Sequence, residues 1–166
     1  MSVRAIQIII EINSNRRGLL FSNKNCKDMA TIIQKVVFKD TTRETLYKLY
    51  MDPKMHSMIV DGPVEISEKA DSNFSAFGGY ITGKNLQLVK NQLIVQLWRG
   101  SDWEKNDPDS AFLLSFEQKG NDVMMNMIHA NVPDDKGKGL DKGWYDHYWN
   151  PWKQYIAGQP ITRPKM

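Results

Sequence analysis

Gly143-Trp144-Tyr145-Asp146-His147-Tyr148-Trp149-Asn150-Pro151-Trp152-Lys153-Gln154-Tyr155-Ile156 is the stretch that decides the fold. Trp144, Tyr148, Trp152 and Tyr155/Ile156 recur at helical spacing, an aromatic stripe over three turns, and Gly158 and Pro160 end it. Pro151 breaks the regularity: it either kinks the helix or begins a second segment capped by Asn150. A stripe this bulky must be buried against something broad and apolar.

The chain before it supplies such a surface. Thr31 to Lys39 reads as a first strand, rich in β-branched and aromatic residues. Thr41-Thr42-Arg43-Glu44 then reads as a capping box, with Thr41 as the cap, and Leu46, Leu49 and Tyr50 follow at helical spacing until Asp52-Pro53. A second short helix is expected around Lys54 to Met58. From Gly62 onward the reading is an antiparallel meander: strands at Pro63 to Ser67, Phe74 to Thr82, Leu86 to Val89, Gln92 to Arg99, Ser110 to Glu117 and Val123 to Val132. Turns are assigned to Gly83-Lys84-Asn85, Lys90-Asn91, Asp107-Pro108-Asp109 and Gly120-Asn121-Asp122. The glycine-rich Asp134 to Gly139 reads as a flexible loop ahead of the final helix.

Alternation places Phe112, Leu114 and Phe116 on one side of their strand, and Val123, Met125, Met127 and His129 on one side of the next. Met124 and Ile128 lie on the opposite side, so that strand is expected to be covered on both faces. The expected fold is α+β, a curved antiparallel sheet wrapped around a long C-terminal helix, with one or two short helices after the first strand. The domain is placed at residues 29–160, with 161–166 as a tail. Residues 1–28 read as an N-terminal extension, poorly ordered or belonging to an upstream start, the rival reading being an extra edge strand from Ile6 to Ile12. If exposed, that apolar run is an aggregation hazard.

Composition excludes several functions. Residues 1–28 carry five of the basic side chains and two of the acidic ones, leaving seventeen of each in the remainder. A nucleic-acid face needs clustered positive charge, and the domain has none to spare. No apolar run approaches the ~20 residues of a membrane-spanning helix. The lone Cys26 rules out a disulfide framework and points to a reducing compartment, the cytoplasm. His56, His129 and His147 fall on separate elements, a poor set for a metal, and no serine or cysteine stands in a nucleophile motif. No cofactor, metal ligand or catalytic residue is assigned, although His129 and His147 would form a general-base pair if they met inside.

Three motifs in order carry a resemblance. Gly79-Tyr80-Ile81-Thr82-Gly83-Lys84-Asn85-Leu86 followed by Leu93 to Trp98-Arg99 is the first, and Gly143-Trp144 opening an aromatic helix is the second. The third is Val37-Phe38 passing into Glu44 to Tyr50 and Asp52-Pro53. Together they resemble the helix-grip domains of the START-like superfamily, to which the birch-pollen allergen belongs. The branch they resemble most is that of the activator of the heat-shock-protein-90 ATPase. The similarity runs from Met29 to about Gly158, with departures at Lys90, where relatives usually carry proline, and at Asn150-Pro151.

The resemblance implies a cavity between sheet and helix. On that expectation Trp98, Phe112, Leu114, Met125, Met127, His129, Trp144, Tyr148 and Trp152 line a site for a small apolar ligand, and the protein is a non-enzymatic carrier or sensor. Trp103 is expected to be exposed or at the cavity rim. Two alternatives stand beside this: a protein-interaction module that engages a chaperone with a filled interior, and a small-molecule hydrolase or cyclase. The chain carries no counterpart of the separate N-terminal domain of the eukaryotic activator, which weakens the chaperone expectation.

Overall fold

The computed structural model describes residues 28–163. The expectations for residues 1–27, Cys26 among them, lie outside the described residues.

Six strands form one antiparallel sheet: β1 (Met29–Phe38), β2 (Asn73–Ala76), β3 (Ile81–Val89), β4 (Leu93–Gly100), β5 (Ser110–Lys119) and β6 (Asp122–Pro133). Their spatial order is β1-β6-β5-β4-β3-β2, so only the β1–β6 pairing departs from a simple meander. Two short helices, α1 (Arg43–Met51) and α2 (Pro53–Val60), follow β1. The C-terminal helix runs as α3 (Asp134–Trp144), a wider π turn (Tyr145–Trp149) and α4 (Asn150–Ile156). This is the helix-grip α+β fold. Register shifts between Ala30 and Ile32 and between Asn85 and Gln87 add local twist, which curves the sheet around the helix.

Several local expectations change. Thr42, not Thr41, caps α1: its hydroxyl accepts from the Thr45 amide at 3.2 Å, while Glu44 pairs with Lys48 at 2.8 Å. Asp52 both ends α1 and caps α2, its Oδ1 accepting from the amides of Lys54 and Met55, each at 2.9 Å, with Pro53 in the first turn. Replacing Asp52 by alanine should therefore cost about 1–2 kcal/mol, read as a lower urea midpoint with unchanged slope. The segment Pro63 to Ser67 contributes only a single bridge, Glu65 to Ser75.

The glycine turn sits earlier than expected. Gly78 and Gly79 take positive φ between β2 and β3, whereas Gly83 to Asn85 lie inside β3. Gly83 is there because a Cβ would stand 2.1 Å from the Leu97 carbonyl oxygen and 2.5 Å from the Phe74 ring. Gly83→Ala should accordingly lower stability by about 3 kcal/mol, measurable by thermal unfolding.

The glycine-rich segment is not a loop but the body of α3. Asp134 and Asp135 in its first turn and Lys142 in its last complement the helix dipole. Gly137 lets the helix lie close on β1, since a Cβ there would be 3.0 Å from that of Ala30. That close contact, with Leu140 and Trp144 packing at i and i+4, overrides the ~1 kcal/mol propensity cost of each glycine. Pro151 neither starts a capped segment nor breaks the helix. The π turn widens just before it, with the Asn150 amide donating to the Tyr145 carbonyl, and Asn150 itself is helical.

Candidate functional site

The inner face of the sheet is built in rows. Ile32, His129, Phe112, Gln96 and Asn85 lie side by side across five strands, and Gln34, Met127, Leu114, Ile94 and Leu88 form the next row. Against these rows the C-terminal helix lays a continuous aromatic column. Tyr50 stacks on Phe112 (5.7 Å between centroids), Phe112 on Trp144 (4.7 Å) and Trp144 on Trp149 (5.5 Å). Trp149 then meets Trp152 edge-on at 5.0 Å, and Trp152 meets Phe38 at 5.7 Å.

The column packs ring on ring against the inner face of the sheet, and a small cavity remains beside it. Of the nine residues expected to line a ligand site, Phe112, Leu114, Met125, Met127, His129 and Trp152 are fully buried among protein neighbours. Trp98, Trp144 and Tyr148 do border a cavity, together with Phe77, Ile81 and Leu140, but its volume is about 90 Å³. Sites for drug-sized ligands run to roughly 300–1,000 Å³. A larger cleft of about 470 Å³ lies elsewhere, between α4 and the C-terminal segment, and it is polar and open. Its side chains are largely engaged with protein: Gln154 and Thr162 bond each other at 2.7 and 2.9 Å, and Arg163 donates to the carbonyls of Ile59 and Met58.

Trp149 lies off the Trp144–Tyr148–Trp152 stripe, yet it is fully buried. The π turn advances the register so that Trp149 faces inward beside Tyr148, donating to Gln34, whose amide nitrogen reaches both the carbonyl and a carboxylate oxygen of Asp141 at 2.8 Å. Tyr155 turns outward instead, and Ile156 packs on the core. Trp103 is buried, not exposed: it packs 5.6 Å from Trp98, and Arg99 pins its loop by donating to the carbonyls of Asp107 and Glu104, each at 2.6 Å.

The histidines do not come together. The ring of His129 is surrounded by Trp98, Phe112 and Trp144. Trp144 Nε1 donates to its Nδ1 at 3.3 Å, so the proton sits on Nε2 and is given to Ser110 Oγ at 2.7 Å. Ser110 in turn donates to the Trp98 carbonyl at 2.7 Å. A histidine whose proton already points at the serine cannot take that serine's proton, so the pair is not a nucleophile and base. His56 donates from Nδ1 to the Tyr50 carbonyl at 2.7 Å and accepts from Tyr148 OH at 3.3 Å. Burial drives the pKa of His129 down to about 3 and that of His56 down to about 4, so both are neutral. His147 stands at the rim of the small cavity with its ring edge-on to Phe77, 5.8 Å away, its pKa lowered mainly by burial.

The other buried polar groups also hold structure. Tyr50 OH donates to Gln96 at 2.8 Å, Gln96 to Asn85 at 2.8 Å, and Asn85 to the Ser67 carbonyl at 2.9 Å. This chain ties α1 through the sheet to the segment before β2. Among the described residues no three His, Cys, Asp or Glu side chains converge as a metal site, and no helix is long and apolar enough to cross a membrane.

The model of the family described as Activator of Hsp90 ATPase homolog 1-like protein matches residues 40–157, from the end of β1 to the end of the final helix. The chain belongs to this family. Among curated relatives, an uncharacterised protein of Schizosaccharomyces pombe is 28% identical over 114 residues, 69% of this chain and 34% of that one. The human activator of 90 kDa heat shock protein ATPase homolog 1 is 22% identical over 123 residues, 72% of this chain and 36% of that protein. The chain thus spans about a third of the length of these two relatives. The crystal structure of an HSP90 activator from Plasmodium falciparum superposes with a TM-score of 0.67 at 23% identity, covering 80% of this chain and 97% of that one.

Proposed function

We propose that this protein is a protein-interaction module of the heat-shock-ATPase-activator family, engaging an ATP-dependent chaperone of the 90 kDa heat-shock class through its outer surface. The observation that carries the reading is the aromatic column from Tyr50 to Phe38, which occupies the space a carrier would keep for its cargo. A filled, rigid interior serves a module whose work is done outside. The reading is tested by mixing the full chain with a 90 kDa heat-shock protein and following ATP hydrolysis. A several-fold, saturable rise is expected; an unchanged rate across a wide excess of this protein overturns it.

The carrier reading keeps one observation in its favour, the apolar cavity of about 90 Å³ beneath Tyr80, Leu140 and Trp144. Its size suits a single small ring rather than a fatty acid or sterol. Three tryptophans lie close to it or within one ring of it, namely Trp98, Trp103 and Trp144, so occupancy would change their emission. Titration with fatty acids, sterols and flavonoid-like aromatics should leave tryptophan fluorescence flat. A saturable response to one class would restore the carrier reading.

A further inference from the structure

The outer face of the sheet breaks the usual pattern of an antiparallel sheet, which alternates apolar inside with polar outside. Ile33, Ile128, Leu113 and Val95 form an unbroken apolar row across β1, β6, β5 and β4, in direct register. A parallel row one step away holds Ala130, Ala111 and Leu97, and on the other side Val37 faces Met124. Polar side chains stand in the row between, at Lys35, Asn126 and Ser115, and at Glu117, which faces Met124 at the end of the face. None of the large apolar residues of these rows belongs to the core packed under the helix. Ile33 is 73% exposed and Val37 43% exposed, both on β1, which pairs only with β6 among the described residues. An apolar face of this extent next to an open edge strand needs a cover or invites association.

The chain carries a segment matched to it. Ile6, Ile8, Ile10 and Ile12 would share one side of an extended segment, with Gln7, Ile9 and Glu11 on the other. The sixteen residues Asn13 to Asp28 connect it directly to β1 and can span about 50 Å when extended. The face from β1 to β4 is only three strand spacings wide, about 15 Å. We propose that Ile6 to Ile12 docks on the outer face of the sheet, laying Ile6, Ile8, Ile10 and Ile12 over the row from Ile33 to Val95 and turning Gln7, Ile9 and Glu11 to solvent. The same chain thereby covers both of its own hydrophobic surfaces. The inner one is covered by the last helix, the outer one by the first segment.

Hydroxyl-radical footprinting of the full chain tests this, read by mass spectrometry at two protein concentrations for the natural sequence and for the double variant Ile8→Asp/Ile10→Asp. Met124 reports the outer face, and Met125 and Met127, fully buried, report whether the variant is folded. Modification of Met124, Leu113 and Ile128 should rise several-fold in the variant, at both concentrations, with Met125 and Met127 unchanged. Equal modification of the outer face in both proteins overturns the proposal. Protection that disappears on dilution also overturns it, assigning the cover to a second copy. Should Met125 and Met127 become reactive, the single variant Gln7→Ile separates the cases: it should leave the outer face protected, and loss of protection there would count against the docking.

Discussion

Between pH 7.5 and pH 5 the protein should lose about 4 kcal/mol of folding stability, because two buried histidines stay neutral in the native state. His129 and His56 have native pKa values pushed down to about 3 and about 4 by burial. In the unfolded chain both return to about 6.5. Below that value the unfolded state binds protons that the native state refuses, so stability is full above pH 6.5 and falls as the pH drops toward 4. Each histidine contributes about 1.4 kcal/mol per pH unit in that window, hence about 2 kcal/mol apiece at pH 5. The carboxylates with lowered pKa, such as Asp122 and Glu117, belong to exposed surface pairs and add little. Urea titrations at the two pH values measure the difference. His129→Gln, though less stable at neutral pH, should lose the His129 share of the decline and keep that of His56, with a smaller part from half-buried His147. Equal stability at pH 7.5 and pH 5 in the natural protein would show that neither histidine is held neutral.

Trp152 should behave as a keystone and not as a ligand contact. It is fully buried between Trp149 and Phe38, away from the small cavity. Trp152→Ala should cost about 4 kcal/mol, near the upper range for a buried aromatic, because the rigid neighbours cannot close the void. Its indole N–H finds no acceptor among the described residues, a standing penalty in the native protein. Trp152→Phe removes that donor while keeping most of the ring contacts, so it should cost only about 1 kcal/mol. If alanine and phenylalanine proved equally destabilising, the indole N–H would have a partner that this account omits.

The fold was legible because its decisive signals are periodic. The Phe112–Leu114–Phe116 and Val123–Met125–Met127–His129 alternations set the inner face, and Trp144–Tyr148–Trp152 set the helix that covers it. The errors fall where tertiary contact overrules local preference. Asp134 to Gly139 read as a loop because three glycines in ten residues are poor helix formers, and nothing local announces that Gly137 must press against Ala30. Gly83 read as a turn for the same reason, although its smallness answers a close approach inside β3. Trp149 escaped notice because a regular helix at 3.6 residues per turn does not face it fully inward; the π turn does. Trp103 was misplaced because its loop is drawn in by Arg99, a contact with no sequence pattern.

The candidate site was less legible than the fold, since the same side chains line a cavity or fill one. Trp98, Phe112, Trp144 and Trp152 satisfy both descriptions, and only the ring-to-ring distances separate them. The chemistry of Ser110 and His129 was equally hidden: which nitrogen carries the proton depends on Trp144, fifteen residues away along the chain.

A filled interior with its work on the outside is the central claim, and direct binding tests it. The full chain titrated calorimetrically into a 90 kDa heat-shock protein, with a nucleotide analogue present, should give saturable heat with a fixed stoichiometry. No heat with the chaperone, together with saturable binding of a small apolar molecule to the same preparation, would contradict the account.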